Sequence, residues 1–174
     1  VSPTFNCGSI NKIYVGRNLS FDAEIWLHGS PIPYITIPFD GLRGASTTTS
    51  VVIGDMVTDI PDYLFYELNV DFDIPSGIKT IGRYAFYRNK ALVELELPSS
   101  VLSVGNNAYA ECSKLESVLI PNSVTSIGSE AFTQCANLEG VTIDGDNLLV
   151  GSSAFASCPK LTSLTISNGV SSIG

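Results

Sequence analysis

The sequence predicts a solenoid dominated by β-structure, in which one short unit is repeated and stacked on itself. Two observations lead to this prediction. Between residues 78 and 174 a glycine recurs at a constant interval, at Gly82, Gly105, Gly128, Gly151 and Gly174. Other columns recur with the same period, including Ala85, Ala108, Ala131 and Ala154, each followed by Phe86, Tyr109, Phe132 or Phe155. A unit this short can bury its apolar faces only against neighbouring units, so the repeats must stack.

Residues 1–50 do not follow the repeat. Short β-like runs occur at Ile13–Val15, Ile25–Leu27 and Tyr34–Ile37, and glycine, proline and asparagine separate them. The first unit of a solenoid exposes an apolar cross-section, and a leading segment that contains the only tryptophan, Trp26, suits that position. We therefore expect residues 1–50 to form an irregular, β-rich N-terminal cap.

The repeat begins imperfectly at Val51. The step from Ile60 to Ile81 is two residues shorter than the later steps, and a solenoid absorbs such a deletion in the outer part of one coil. We thus divide the solenoid, residues 51–174, into degenerate repeats over 51–77 and regular repeats over 78–174. The last unit stops in mid-repeat at Gly174. We expect further repeats, or another chain, to cover this end.

The regular unit contains two strand signals and one helix signal. Val118 and Ile120 alternate with more polar or exposed positions, as in a strand with one buried face, and a proline ends that strand. Val124 and Ile127 form a second inward pair. Ser129 is a possible N-cap for a short helix whose inner face would contain Ala131, Cys135 and Leu138, with Phe132 in the middle of the coil.

Three of the four cysteines occupy one repeat column. Cys112, Cys135 and Cys158 are each separated by one full repeat, and Asn89 holds the same position in the preceding unit. We interpret them as a buried ladder of free thiols, because cysteine is a small and frequently buried residue. The spacing of stacked strands does not exclude a disulfide between neighbouring rungs, although parallel side-chain directions disfavour it.

Composition excludes several classes of function. The chain has a formal net charge of −8, from 17 acidic and 9 basic residues, so nucleic acid and anionic lipid are unsuitable partners. No apolar run approaches the length of a membrane helix. The single histidine, His28, leaves no Ser/His/Asp arrangement, and there is neither a phosphate-binding glycine loop nor a metal-spaced His/Cys set. We expect no enzyme, no cofactor and no metal site.

The columns of the unit resemble a known family. In order they are Leu-x-x-Leu-x-Leu/Ile-Pro-x-Ser-Val-x-x-Ile-Gly-x-x-Ala-Phe-x-x-Cys, which is similar to the BspA-like leucine-rich repeats. The resemblance implies an α/β solenoid that coils to the right, with short strands on the concave side and short helices or turns on the convex side. It also implies a binding role at a cell surface or outside the cell, since family members are typically surface proteins implicated in adhesion.

The outward residues of the strands form the candidate partner-binding face. Their two rows are acidic at the start and small or hydroxylated toward the end, with one apolar residue between them. The residues that we select from these rows are Asp71, Asp73, Glu94, Glu96, Ser117, Leu119, Thr142, Ser163 and Thr165.

We expect this face to bind a protein or peptide, for example a surface protein of a host or of a neighbouring cell. The alternative is a structural component of a surface layer or fibre, which packs through the uncapped C-terminal repeat. A carbohydrate-binding module would need exposed aromatic residues on the concave face, and the strand rows contain none.

Overall fold

A computed structural model describes residues 13–15, 51–53, 57–67, 69, 71, 73–144, 148–167 and 170–174. Of the three β-like runs before residue 50, only Ile13–Val15 lies within these ranges, where it forms a strand. The other two runs, together with Trp26 and His28, lie outside the described residues. The assignment of residues 1–50 as a cap stays a prediction.

The described residues form short strands that follow one another along the chain. The strands are β1 (Ile13–Val15), β2 (Val51–Ile53), β3 (Asp59–Ile60), β4 (Thr80–Ile81), β5 (Glu94–Glu96), β6 (Ser103–Val104), β7 (Ser117–Ile120), β8 (Ser126–Ile127), β9 (Gly140–Ile143), β10 (Leu148–Val150), β11 (Ser163–Ile166) and β12 (Val170–Ile173). From β4 onward, successive strands alternate between two sheets, so the chain is a solenoid, as predicted.

All of the strand pairs among the described residues are parallel. A six-strand sheet has the order β3-β4-β6-β8-β10-β12, and a four-strand sheet has the order β5-β7-β9-β11. Strand β1 pairs separately with β2. Ile60 lies opposite Ile81 across β3 and β4, which confirms that the shorter step between them leaves the strand register intact.

The core is a column of stacked aromatic rings that runs through the coils. The ring centroids of Phe86, Tyr109, Phe132 and Phe155 are 4.9, 5.3 and 5.3 Å apart in sequence order, and neighbouring rings are within 5° of parallel. Phe65 extends the column with a tilted contact of 5.1 Å. All of these side chains except that of Phe155 are fully buried, because aliphatic residues from both sheets surround them.

The prediction of a short helix after Ser129 is wrong. None of the described residues is helical, and residues 129–134 form a turn in which Glu130 and Gln134 have φ angles of 57° and 58°. The preceding rung has the same arrangement at Asn107 and Glu111. Side chains four residues apart share one face of a helix. They also lie on one side of this turn, so the spacing alone wrongly predicted a helix.

Hydrogen bonds explain why a turn replaces the helix. In a helix each backbone N–H donates to a carbonyl four residues earlier in its own segment. In these turns, alternate N–H groups instead donate to carbonyls of the next rung, and the groups between them donate within their own turn. The cross-rung bonds of one turn run from Asn107, Tyr109 and Glu111 to Ser129, Ala131 and Thr133, at 3.1, 2.8 and 2.9 Å. The turns therefore form a third ladder besides the two sheets.

The glycine column is required by contact between rungs. A Cβ atom added to Gly128 would lie 2.4 Å from the backbone nitrogen of Asn106 and 2.5 Å from the carbonyl carbon of Gly105. Only glycine allows the two backbones to approach this closely. Gly105 and Gly151 approach the backbone of the preceding rung in the same way.

The prediction of a ladder of free cysteine thiols is confirmed. Cys112 and Cys135 are buried, Cys158 is half-buried, and none of the three forms a disulfide. Each thiol donates to a backbone carbonyl 26 residues earlier, at 3.3 Å for Cys112 and Cys135 and 3.2 Å for Cys158. Burial raises the pKa of the Cys112 thiol to about 12, so it stays protonated and unreactive at neutral pH.

Candidate partner-binding face

The four-strand sheet brings most of the predicted residues onto one surface. Glu94 lies opposite Ser117, which is followed across the sheet by Gly140 and Ser163. In the parallel row, Glu96, Leu119, Thr142 and Thr165 lie opposite one another in the same order. The predicted register of both rows is thus observed over these four strands.

Alternation along each strand fixes the direction of these side chains. Leu95, Val118 and Val141 point into the core and are at most 5% exposed. Their neighbours in sequence therefore point outward. Glu94, Glu96, Ser117, Ser163 and Thr165 are exposed, whereas Leu119 and Thr142 are half-buried.

Two of the predicted residues do not lie on a described strand. Asp71 and Asp73 are exposed, but the chain around them has no strand assignment. The structure accordingly brings Glu94 and Glu96 together with the later residues of the face. Membership of Asp71 and Asp73 in the same acidic surface stays a prediction.

Two further acidic residues border the face and were missed. Glu116 and Glu139 are exposed and lie one residue before β7 and β9. The backbone N–H of Glu139 donates to the carbonyl of Glu116 at 2.9 Å, so the two residues occupy one column on adjacent rungs. Their separation by one full repeat was the available signal. Strand alternation does not reach these two positions, because they precede the strands.

The charge of the face is negative and is concentrated at one end. Residues 93–97, 116–120, 139–143 and 162–166 contain four glutamates and no lysine or arginine. We refer to Glu94, Glu96, Glu116 and Glu139 as the acidic end of the face. The opposite end, at β9 and β11, presents Thr142, Ser163 and Thr165. A partner lying across the sheet would therefore meet negative charge first and hydroxyl groups beyond it.

A cluster of tyrosines lies on the turns and was also missed. The rings of Tyr63 and Tyr84 stack at 5.0 Å, and those of Tyr66 and Tyr87 stack at 4.9 Å. Tyr84 and Tyr87 meet edge to face at 5.4 Å. We call these four residues the tyrosine cluster. Its sequence signal was the recurrence of a pair of tyrosines on the next rung, outside the apolar columns.

An arginine links the tyrosine cluster to acidic residues on both sides. The Arg88 guanidinium donates to Glu67 at 3.0 Å and to Glu111 at 2.8 Å, and it lies 5.0 Å from the centre of the Tyr87 ring. The Tyr87 hydroxyl also donates to Glu111. Hydrogen bonds from Arg88 and then from Tyr87 lower the pKa of the Glu111 carboxyl. Desolvation and the bond to Glu111 raise the pKa of Tyr87 to about 12.

Comparison with protein families identifies the repeat. A model described as the BspA type leucine rich repeat region matches residues 58–174 in 6 copies. This chain belongs to the BspA-type leucine-rich-repeat family. Because the match covers about two thirds of the chain, it also confirms the resemblance inferred from the columns.

The BspA-type chain is similar to solved leucine-rich-repeat structures. One from T. pallidum has a TM-score of 0.61 and 26% sequence identity, over 68% of this chain and 61% of that protein. One from Bacteroides ovatus has a TM-score of 0.33 and 19% identity, over 74% of this chain and 57% of that protein. This chain thus spans about three fifths of the length of each. No curated protein matches the sequence.

Two features are absent from the described part of this BspA-type chain. None of its segments forms a helix with the length and hydrophobicity that crossing a bilayer requires. In the same residues, no three His, Cys, Asp or Glu side chains converge in a way that could hold a metal ion.

Proposed function

We propose that this chain is a recognition module that binds a protein or peptide partner through the outward face of the four-strand sheet. The observation that carries the proposal is the register of that sheet, which places the outward residues of four rungs in two continuous rows. Family membership supports it, because leucine-rich repeats commonly mediate protein interactions. We further propose that the chain has no catalytic activity.

The mechanism is complementarity to a preformed surface. Parallel pairing holds the backbone of the face, so a partner would bind without the entropic cost of ordering it. The acidic end attracts a lysine- or arginine-rich segment and accelerates its approach. Ser163 and Thr165 provide hydrogen-bonding groups beyond it, and Leu119 provides a single apolar contact between the two ends.

A basic peptide provides the direct test. We would titrate the chain with a short lysine- and arginine-rich peptide at several salt concentrations. Glu94→Lys and Glu96→Lys should each weaken binding by about threefold to tenfold, the effect of about 0.7–1.4 kcal/mol, and should reduce its dependence on salt. Glu130→Lys is the matched control, since it makes the same change of charge at an exposed position on the turns.

The control distinguishes the face from the net charge of the chain. If Glu130→Lys weakens peptide binding as much as Glu94→Lys, the effect is one of overall charge and the assignment of the face is wrong. If neither strand variant weakens peptide binding, the peptide binds at another site.

We also propose that the chain acts outside the cell or at its surface, in adhesion to a protein of a host or of a neighbouring cell. Typical surface association of BspA-type proteins supports this location. Brief protease treatment of intact source cells, followed by detection with an antibody to this chain, tests it. Loss of the signal is expected. A signal that disappears only after lysis would contradict a surface location.

One observation favours the structural alternative. Leu164 of β11 is 48% exposed, whereas Val141, opposite it in β9, is 2% exposed. Ile173 of β12 is 58% exposed, whereas Val150, opposite it in β10, is 5% exposed. Association through this rung, with a further repeat or another chain, would bury these side chains. Light scattering over a wide concentration range tests self-association of this chain. Growth into large species supports the structural role, and a constant monomer mass contradicts it.

A further inference from the structure

The tyrosine cluster is one connected network of ring contacts. Besides its two stacked pairs and its edge-to-face contact, the ring centroids of Tyr63 and Tyr66 lie 5.8 Å apart, and those of Tyr66 and Tyr84 lie 6.4 Å apart. Every ring of the cluster therefore contacts at least two of the others. Because electrons move readily between aromatic rings in contact, the loss of an electron from one ring is shared by all four.

The cluster is also within reach of reagents in solution. All four of its tyrosines are half-buried, whereas Tyr109 of the inner ring column is fully buried. An oxidant in the solvent can thus withdraw electrons from the phenols of the cluster, while the phenol in the core is shielded.

Tyr87 has a base in place to take its proton. Its hydroxyl donates a hydrogen bond to the Glu111 carboxylate. Hydrogen bonds from Arg88 and then from Tyr87 lower the pKa of that carboxyl, so it is ionised at neutral pH and can accept a proton. A phenol that has lost an electron is a much stronger acid than a carboxylic acid. The proton therefore passes to Glu111 when the electron leaves, and Tyr87 becomes a neutral phenoxyl radical.

Tyr66 is the ring of the cluster nearest to Tyr87. The two centroids are 4.9 Å apart with 20° between the ring planes, whereas Tyr84 meets Tyr87 edge to face at 5.4 Å. The backbone N–H of Glu67 donates to the carbonyl of Tyr87 at 2.7 Å, which holds the two rungs together at this point. The two phenols thus stay side by side as long as the chain is folded.

We propose that Tyr66 and Tyr87 form a site of oxidative cross-linking, at which a haem peroxidase and hydrogen peroxide join the two rings as dityrosine. One electron leaves each ring and each hydroxyl releases its proton, that of Tyr87 to Glu111. The two phenoxyl radicals pair their electrons in a new carbon–carbon bond between one ortho carbon of each ring. Each of these carbons then loses its hydrogen as a proton, and each phenol oxygen regains one. The peroxide takes up the two electrons and two protons and becomes two molecules of water.

A bond within the chain is favoured over a bond between chains. Two rings held in contact react as parts of one molecule, whereas rings on separate chains must first meet in a suitable orientation. The half-buried position of both rings lowers the chance of such a meeting further. The cross-link should therefore form in the monomer.

The new bond would fasten the start of the solenoid to its regular part. Tyr66 belongs to the degenerate repeats and Tyr87 to the first regular rung. The bond closes a loop of about 20 residues, which restricts the unfolded chain and so stabilises the folded one. This site is separate from the sheet face, and it does not depend on the partner proposed for that face.

The test treats the full chain, at low concentration, with a haem peroxidase and a limiting amount of hydrogen peroxide. The monomer is then isolated by size exclusion, digested and examined by mass spectrometry. We expect a pair of peptides that is joined at Tyr66 and Tyr87 and is lighter by two hydrogen atoms than the separate peptides. The cross-linked monomer should show dityrosine fluorescence and melt at least about 4 °C above the untreated chain.

Three variants locate the chemistry. Tyr66→Phe removes a hydroxyl without which no phenoxyl radical forms, and it should abolish the dityrosine fluorescence of the monomer. Tyr63→Phe makes the same change on the same rung but in the other stacked pair, so it is the matched control and should leave the fluorescence unchanged. Glu111→Gln keeps a hydrogen-bond acceptor but loses the base, and it should slow cross-linking at least about threefold.

Several results would overturn the proposal. They are an oxidised monomer without dityrosine, a bond that joins any other pair of tyrosines, cross-links that occur only between chains, and a loss of fluorescence in Tyr63→Phe as complete as that in Tyr66→Phe. If Glu111→Gln is cross-linked as fast as the unaltered chain, the transfer of the proton to Glu111 is wrong.

Discussion

Two aromatic stacks lie side by side in the same turns, and they differ in extent. The inner stack runs through every rung from Phe65 to Phe155, whereas the outer one ends at Tyr84 and Tyr87. Beyond them the outer positions are filled by Asn107 and Ala110, yet the backbone ladder of the turns continues unchanged. The inner column is therefore needed to build the coil, and the outer column is not.

The difference between the two stacks indicates which positions of the repeat are constrained by packing. A position that must pack between rungs cannot also change to suit a ligand, because a lost contact lowers the stability of the whole coil. The outer positions of the turns do not carry this constraint, because the turn ladder continues where Asn107 and Ala110 fill them. The fold therefore does not require tyrosines there.

The sharpest test compares truncation of the two stacks. Phe132→Ala should lower the free energy of unfolding by about 3–5 kcal/mol, because it leaves a cavity between two parallel rings. Tyr84→Ala removes a partly exposed ring and should cost about 1 kcal/mol. Urea denaturation of both variants measures the difference. Equal losses would show that the outer stack is as necessary as the inner one.

The same contrast applies to two glycines. Gly128→Ala forces a Cβ atom against the backbone of the preceding rung and should lower the free energy of unfolding by about 2–3 kcal/mol. Gly140 faces outward on β9, and a Cβ added there has no neighbour within 4 Å. Gly140→Ala should therefore leave stability unchanged or raise it by up to about 1 kcal/mol. A mild effect at Gly128 would mean that the rungs can separate at little cost.

Tyr109 refines the comparison, because it places a polar atom inside the inner stack. Its hydroxyl is buried and has no hydrogen-bond partner among the described residues, and burial holds the pKa of this phenol well above its ordinary value. Tyr109→Phe should raise the free energy of unfolding by about 1 kcal/mol. Tyr87→Phe, which loses a bond to Glu111, should bring no gain. A loss of stability in Tyr109→Phe would show that its hydroxyl has a partner.

The smallest expected effect concerns the charges around the outer stack. Arg88 and Tyr87 lower the pKa of Glu111, so this carboxylate stabilises the folded state above its ordinary pKa of 4.5, and the contribution is lost as the pH falls through the lowered value. Glu111→Gln should cost less than about 1 kcal/mol at neutral pH, since the group is partly solvated. The gap between the two proteins should narrow as the pH falls below 4.5 in urea denaturation. A gap that widens in acid would contradict this sign.

The solenoid, the strand register and the free cysteine ladder could be predicted from the sequence, because a fixed period determines which residues lie opposite one another. The form of the turn could not. Ala131 and Cys135 are four residues apart in a helix and in this turn alike, so spacing alone does not distinguish the two. A helix and this turn differ in which carbonyl groups accept the backbone hydrogen bonds. The sequence columns do not reveal those acceptors.

The sheet face and the tyrosine cluster differ in how far the sequence could predict them. Seven residues of the sheet face followed from strand alternation. The tyrosine cluster did not, because its columns change from rung to rung. Tyr63 and Tyr66 recur as Tyr84 and Tyr87 on the next rung and not beyond it.

The ladder of left-handed turns has a mechanical consequence. Each regular rung is tied to the next along three separate lines, the two sheets and the turns, and the hydrogen bonds of all three point along the axis. A rung cannot tilt about one line without stretching the bonds of another. Traction along the axis is thus shared by all three lines at every joint. The coil would hold the sheet face and the tyrosine cluster at a constant separation under load, as a stiff spacer does.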